Sequence, residues 1–566
     1  MSWLATWLAP LMFAGLALLL FTGVPVAFAL IACAFCFSLA GIALGVLPAH
    51  LAGALPLRVF GIVSSELLLA IPFFTFMGMV LQRSGMAEDL LETIGQVFGP
   101  VRGGLALAVV LVGALLGATT GVVAASVISM GLISLPVMLR NGYQPRLACG
   151  AIAASGTLAL VVPPSLVLIV MADQLGTGIG SMYAAALVPA ALLIGLYVLL
   201  LVGIALVRPR WMPALPPELR NLAEGSGRSG HRSLLVLAVL AAVVAWAVVI
   251  AYPGWLRGLG RDFAPPADEV VMVALGSGVL AAWLLALADR VLRLHWLSAL
   301  ARRVAFVLIP PLVLIFLVLG TVYLGVATPT ESGAVGAVGA VALAVLRRRL
   351  TLADLGEALL STSKISCMVM FVLIGSSVFS LAFQAADGNR WVERLFVNLP
   401  GGATGFLVFV TALVFLLGMF LDFFEIAFIL LPMLAPVAQR LGVDLVWFGV
   451  LVGVNLQASF LTPPFGFSLF FLRGVAPQPA IRTSDIYLGV LPFVAVQVAV
   501  MALLIAFPGL VMQPPQAQMT DPAAVEASLR AMAPPPPEPN DPVENLLDDI
   551  EIERMGQQQE EGRPSR

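Results

Sequence analysis

Four polar interruptions in long apolar stretches hold the residue types that could do chemistry. They are Gly117-Ala118-Thr119-Thr120-Gly121; Ser155-Gly156-Thr157 with Pro163-Pro164-Ser165; Gly418-Met419-Phe420-Leu421-Asp422; and Asn455-Leu456-Gln457-Ala458-Ser459 with Thr462-Pro463-Pro464. Proline has no N–H and its ring clashes with the preceding turn. The carbonyls three and four residues before each Pro-Pro pair therefore lose their helical partners. Freed carbonyls beside hydroxyls make a hard, oxygen-only site that suits Na+, and the helix N-termini beyond each break suit a carboxylate. Asp422 places an acid in an apolar stretch, where a charge at membrane depth costs roughly 2.5–3.5 kcal/mol unless it is paired or solvated. Two readings of it stand side by side: a cation ligand, and the N-cap of the helix that follows. Glu425 lies one turn on, Glu66 begins an apolar span, and Thr328-Pro329-Thr330-Glu331 has the spacing of a capping box.

Other chemistries find little support. The histidines His50, His231 and His295 fall at span ends or in loops, and no Ser–His–Asp or metal cluster emerges. No catalytic centre is therefore expected. Cys33 and Cys36 form a CxxC, but inside an apolar span, where small residues packed against neighbouring helices are the expectation. Of the 566 residues 60% are hydrophobic and 11% charged, whereas a soluble domain is about 25% charged. Too few charges remain to cover a water-facing surface. That excludes a soluble enzyme, a secreted disulfide scaffold and a disordered protein, and the near-neutral balance gives no sign of nucleic acid. Repeated apolar stretches near 20 residues indicate an all-α polytopic membrane protein.

The elements that must position the four interruptions follow from hydropathy. Crossings are expected near 3–22, 24–46, 61–82, 147–171, 182–207, 233–252, 269–288, 304–323, 330–346, 364–386, 447–472 and 486–510. The stretches 103–138 and 403–438 are too long for one span, and each has a glycine-containing polar break in its middle. They are read as re-entrant hairpins, since broken backbone at membrane depth must line a cavity or be buried in protein. With the N-terminus outside and both hairpins re-entrant, nineteen basic residues fall in cytoplasmic segments and six in outside loops. That is a clear positive-inside bias. Residues 512–566, with Pro534-Pro535-Pro536-Pro537 and many acids, are expected to be a disordered tail. The first span runs directly into the second, so a cleavable signal peptide is not expected.

The chain repeats itself. Pro136-Val137-Met138-Leu139-Arg140-Asn141-Gly142 matches Pro436-Val437-Ala438-Gln439-Arg440-Leu441-Gly442 at an offset of 300, and Pro163-Pro164 meets Pro463-Pro464 at the same offset. Upstream, Ile71-Pro72-Phe73-Phe74-Thr75-Phe76-Met77-Gly78 resembles 368–375, and amphipathic stretches follow at 85–99 and 388–400. Residues 1–207 and 304–511 each hold five crossings and one hairpin, and 208–303 inserts two further helices. An odd number of crossings followed by an even insertion inverts the second copy. Inverted repeats with broken helices are the signature of secondary transporters.

These segments resemble the large membrane subunit of tripartite ATP-independent periplasmic (TRAP) transporters. The resemblance rests on Gly23-Val24-Pro25-Val26-Ala27-Phe28, Ile71-Pro72-Phe73-Phe74, Ser155-Gly156-Thr157 with Pro163-Pro164-Ser165, Ala327-Thr328-Pro329-Thr330-Glu331 and Leu461-Thr462-Pro463-Pro464-Phe465-Gly466. It implies a Na+-coupled importer of organic acids such as dicarboxylates, with an elevator-type transport domain, in a bacterial inner membrane. By the resemblance, one Na+ site uses Gly117, Thr120, Ala159, Val162 and Pro164. By the repeat, a second uses Gly418, Asp422, Ser459, Thr462 and Pro464. Thr119, Ser155, Thr157, Ser165, Asn455 and Ser468 remain at the breaks as candidate substrate contacts. The chain departs from the family pattern at the threonines of the first tip, at Ala159 where glycine is frequent, and at Ser468 where asparagine is common.

The resemblance also implies a periplasmic substrate-binding protein and a small membrane subunit. The inserted pair 233–252 and 269–288 is too short to be a fused four-helix subunit, so a separate one is expected. The competing readings are a stand-alone Na+/dicarboxylate symporter and, from another class, a channel or proton-coupled membrane subunit.

Overall fold

The computed structural model describes residues 2–511, except 217, 219–229, 259–264, 266, 294–295, 325, 398–399 and 478–480. The tail 512–566 lies outside the described residues. Those described are helical throughout, with 3-10 turns and loops between.

The first half runs α1 Ser2–Phe21, α2 Val26–Ala43, α3 Leu55–Val63, α4 Glu66–Arg83, α5 Met86–Phe98, α6 Gly104–Thr120, α7 Val123–Arg140, α8 Pro145–Thr157, α9 Leu166–Leu175 and α10 Ile179–Val207. Two helices follow, α11 His231–Gly258 and α12 Ala267–Val291. The second half runs α13 Ala299–Val307, α14 Ile309–Tyr323, α15 Pro329–Leu346, α16 Leu352–Ala385, α17 Gly388–Val397, α18 Gly402–Leu417, α19 Phe423–Arg440, α20 Leu445–Ser459, α21 Phe467–Val475 and α22 Thr483–Ala506. From α4 to α10 and from α16 to α22 the order of long, short and broken helices is the same. Among the described residues ten helical spans, with α13 and α14 counted as one, are long and apolar enough to cross a membrane. With nearly every backbone group bonded inside its own helix, the chain meets the main demand that lipid makes.

Several bounds differ from the hydropathy reading. The stretch 61–82 begins in α3, which bends from α4 by 42° at Ser64-Ser65. The stretch 304–323 breaks at Leu308, where Pro310 and Pro311 open α14. α16 starts twelve residues before 364 and is 34 residues long. A capping box starts it: Thr351 Oγ1 accepts from the Asp354 amide at 3.1 Å, and the Asp354 carboxylate accepts from the Thr351 amide at 3.1 Å. The box at Thr328–Glu331 is also present and opens α15.

α5 is amphipathic. Met86, Leu90 and Ile94 are buried on one side, and its acids meet arginines of the second half on the other. Asp89 pairs with Arg347 at 3.5 Å and with Arg349 at 3.2 Å, and Glu92 pairs with Arg303 at 2.6 Å. His231 joins its Nε2 to the Val97 carbonyl at 2.9 Å, and Arg83 pairs with Glu357. Glu92–Arg303 and Arg83–Glu357 lie at the surface, where a pair is worth about 0–1 kcal/mol, whereas Asp89–Arg347 is half-buried; together they tie α4 and α5 to the second half.

The interior is built by close approach. Gly150 of α8 and Gly489 of α22 touch backbone to backbone: a Cβ on Gly150 would run into the Gly489 carbonyl, and one on Gly489 into that of Arg146. Small residues at helix crossings take the place of the hydrophobic drive that lipid cannot supply. α8 and α20 are buried on every side. The two short helices exchange partners: α9 packs on α19 and α20, and α21 packs on α7 and α8.

α11 and α12 pack on each other and on the second half through α14. Each of their buried acids accepts a hydrogen bond, though Asp289 Oδ2 has no hydrogen-bond partner among the described residues. The Tyr252 hydroxyl donates to Glu269 at 2.6 Å, and Asp289 accepts from the Trp296 amide at 2.8 Å. Leu235, Val239, Trp246 and Ile250 are exposed on α11, an apolar surface of the kind that faces lipid.

Candidate functional site

The first break follows α8. Residues 158–160 make a single 3-10 turn, and the amides of Val161 and Val162 both donate to the Leu158 carbonyl, at 3.1 and 2.9 Å. The Pro163–Pro164 bond is cis. Ser165 then precedes α9, and its hydroxyl reaches the carbonyls of Ala159 and Leu160, each at 3.0 Å. Two of the carbonyls that the prolines free are thus shared with one serine.

The facing tip is the end of α6. Gly121 turns the chain at φ 60°, a conformation that suits glycine, and its amide donates to Gly117 at 2.9 Å. Gly117 lies against the break: a Cβ there would sit 2.8 Å from the Ala159 nitrogen. One turn earlier, a Cβ on Gly113 would sit 2.7 Å from the Ser155 hydroxyl. Only glycine lets α6 lie this close to α8. Thr119 is buried and donates to the Leu116 carbonyl at 2.9 Å. The Thr120 side chain lies outside what the structure describes.

The second break repeats the plan. The Thr462 amide donates to the Ser459 carbonyl at 3.0 Å, and the Pro463–Pro464 bond is cis. Gly466, at φ 42°, donates its amide to the Met419 carbonyl at 3.3 Å, which ties the break to its tip. A Cβ on Gly418 would sit 2.9 Å from Ser459 Cβ. The Pro464 carbonyl accepts from the Tyr487 hydroxyl at 3.2 Å. Asp422 occupies the N-cap of α19, and the Glu425 carboxylate accepts from its amide at 3.0 Å in a capping box.

The hydroxyls at the breaks share one trait. Ser155, Thr157, Ser459 and Thr462 each donate to a carbonyl three or four residues earlier, at 2.8–2.9 Å. A hydroxyl whose hydrogen is engaged this way offers only lone pairs, and lone pairs suit a cation better than an anion. Ser468 donates across the halves to the Ala153 carbonyl at 3.0 Å. Asn455 donates to the Thr411 carbonyl at 2.7 Å, and its Oδ1 has no protein partner.

Sequence reasoning passed over Gln457. It is 0% exposed, and neither atom of its amide has a protein partner. Gly449 faces Leu175 and Gly453 faces Leu168 and Val161. The same stripe of α20, one turn on, carries Gln457 toward the first break. The usable signal was its type: a glutamine in the middle of an apolar span.

Residues 13–510 match the family model of the tripartite ATP-independent periplasmic transporter, DctM component. The chain is 26% identical over 427 residues to a C4-dicarboxylate TRAP transporter large permease protein of Pseudomonas aeruginosa, covering 75% of this chain and 81% of that one. It is 24% identical over 448 residues to the 2,3-diketo-L-gulonate TRAP transporter large permease protein of Escherichia coli, covering 79% and 86%. It is 25% identical over 509 residues to the isethionate TRAP transporter permease protein DctMQ of Oleidesulfovibrio alaskensis, covering 89% of this chain and 66% of that one.

Proposed function

Because the chain belongs to the DctM-component family of tripartite ATP-independent periplasmic transporters, as their large membrane subunit, we propose that it couples Na+ entry to the import of an organic acid across a bacterial inner membrane. A secondary transporter of organic acids is what the family supports. Na+ as the coupling ion is our extension of it.

One observation carries the extension. In both halves a tip glycine lies directly on the backbone of a proline-broken helix: Gly117 on Ala159, and Gly418 on Ser459. In our reading each pairing would bring carbonyls and lone-pair-bearing hydroxyls toward one cation. Among the described residues no three His, Cys, Asp or Glu come together as a metal cluster, so a cation at either break would rely largely on neutral oxygens, as Na+ does. The first seat would use Gly117, Thr120, Ala159, Val162 and Pro164, and the second Gly418, Asp422, Ser459, Thr462 and Pro464. The matching order of elements supports an inverted repeat, with the broken helices and hairpins moving as an elevator against the remaining helices. Thr119, Ser155, Thr157, Ser165, Asn455 and Ser468 would meet the substrate after their hydroxyls turn from the backbone. A substrate-binding protein and a small membrane subunit complete the working assembly. The Oleidesulfovibrio relative is a DctMQ protein of which this chain covers 66%, which fits a fusion with such a subunit.

Uptake into proteoliposomes that hold the full assembly is expected to fall about tenfold when external Na+ is replaced by K+. Full uptake driven by a proton gradient alone would overturn the proposal. The Asp422→Asn variant removes a charge yet keeps a residue that caps helices as well as Asp does. Its Na+ half-saturation is expected to rise about tenfold, worth about 1.4 kcal/mol, with folding unchanged. An unaltered Na+ dependence would assign Asp422 to capping alone.

A further inference from the structure

A cavity of about 440 Å³ opens between α3, α4, the end of α9, α16 and α19. It lies at the opposite end of α4 and α16 from the Arg83–Glu357 ion pair, and none of the residues assigned above to the breaks lines it. We propose that it is a binding site for a hydroxylated monocarboxylate, the first seat of the transported acid. This rests on the organic-acid reading given above and narrows it.

α3 brings Arg58 to the rim, where it is exposed. Its Nη2 donates to Gln384 Oε1 at 3.3 Å, and Gln384 Nε2 donates to Ser380 Oγ at 3.1 Å. The amide of Gln384 is thereby fixed in orientation. It holds the guanidinium at the rim of the cavity. Among the described residues no carboxylate pairs with Arg58. A guanidinium with most of its N–H groups uncommitted takes a carboxylate as a two-pronged partner.

Asp173 supplies the discrimination. It lines the same cavity, half-buried, and Gln174 Nε2 holds its carboxylate at 2.8 Å. When ionised, it only accepts hydrogen bonds. A second carboxylate on the ligand would meet it as a like charge, whereas a ligand hydroxyl would donate to it. Ser65, Ser377 and Ser380 extend the hydroxyl-matching wall. One cation, one acid and several hydroxyls therefore fit a monoanion rich in hydroxyls better than a dianion. The volume lies within the range of about 300–1,000 Å³ usual for small-molecule sites.

The cavity also connects to the breaks. Asp173 and Gln174 sit in the last turn of α9, which starts at the first break. Ser376 donates to the Phe428 carbonyl of α19, the helix that leaves the second tip. A ligand held here touches the elements that would have to move with it.

The test is equilibrium binding of radiolabelled gluconate to the full chain in lipid nanodiscs with Na+, with succinate and glucose as competitors. Gluconate is expected to bind. Succinate should compete at least about tenfold less well, and glucose should not compete. Arg58→Gln should weaken gluconate about tenfold. Asp173→Asn should narrow the gap between gluconate and succinate. In both variants Na+-dependent thermal stabilisation should match the wild type, which also shows that they are folded. Failure of the wild-type chain to bind gluconate, a preference for succinate, or wild-type gluconate binding in Arg58→Gln would overturn the proposal. Loss of the Na+ effect in the wild-type chain would instead strike at the coupling reading, while the gluconate result still judges the cavity.

Discussion

Replacing Gly489 by leucine is expected to abolish the folded protein. A Cβ at Gly489 would collide with the carbonyl group of Arg146, lying 2.8 Å from its carbon, and would stand 3.2 Å from the Gly150 amide. These are backbone atoms of the first two turns of α8, met from the second turn of α22, so no side chain can rotate out of the way. The two helices would have to part along their length, and α8, buried on all sides, has no free space to enter. Overpacking of side chains alone costs about 1–3 kcal/mol, and a backbone collision should exceed that. The monodisperse fraction recovered in detergent is expected to fall to near zero for Gly489→Leu and for Gly150→Leu. Gly203→Ala lies in α10 with nothing within 4 Å of an added Cβ. It should leave the yield unchanged, or improve it, since alanine favours helix over glycine by about 1 kcal/mol. Normal recovery of Gly489→Leu would show that the α8–α22 contact does not hold the structure.

Gly117→Val should have the largest effect on transport among changes that leave the protein folded. Its added carbons would press on the nitrogen and Cα of Ala159, at 2.8 and 2.9 Å. The tip can yield by lifting away, because it is a chain reversal and not the middle of a helix pair. Lifting it by an ångström separates the carbonyls of the tip from those of the break. Misplacement on that scale costs on the order of 100-fold in rate. Na+-driven uptake is therefore expected to drop about 100-fold while the elution profile stays normal. Gly418→Val should be milder, because its closest neighbour is the Ser459 side chain rather than backbone. Equal activity of Gly117→Val and wild type would remove the tip from the transport site.

What was legible in the sequence depended on local chemistry. Pro163-Pro164 and Pro463-Pro464 break helices wherever they stand, and the glycines at 117, 121 and 418 mark the turns beside them. The stretches 103–138 and 403–438 accordingly hold α6 with α7 and α18 with α19. The bend between α3 and α4 was not legible, since Ser64-Ser65 carries no proline or glycine and the hydropathy runs on through it. α16 was read short because Asp354 and Glu357 lower the hydropathy of its first two turns, although Thr351 and Asp354 have the spacing of a cap. The Arg58–Gln384–Ser380 chain and the Ser468–Ala153 bond join residues more than 300 positions apart. No local pattern encodes such pairs. Asp422 was legible as significant but not in role, because an N-cap and a cation ligand need the same side chain at the same turn.

The exchange of partners by α9 and α21 sets a timetable for biogenesis. α9 leaves the ribosome with the first half, but the helices it packs on, α19 and α20, are made roughly 250 residues later. At about 5–20 residues per second that delay is on the order of ten to fifty seconds. During it, α9 can rest only on α4 and α10 of its own half, and the surface it will give to α19 and α20 faces the bilayer. Its sequence tolerates this: Leu166-Val167-Leu168-Ile169-Val170-Met171-Ala172 is apolar all round, and its polar residues, Asp173 and Gln174, are gathered at one end. α21 comes late and finds α7 and α8 already made, with only α22 still to follow, so Arg473 within it and Ser468 at its start meet nearly finished surroundings. Synthesis from the N-terminus thus places the lipid-tolerant half-helix first and the polar one second, and a circularly permuted chain that reversed the order would expose the polar half-helix to the bilayer while its partners were still unmade.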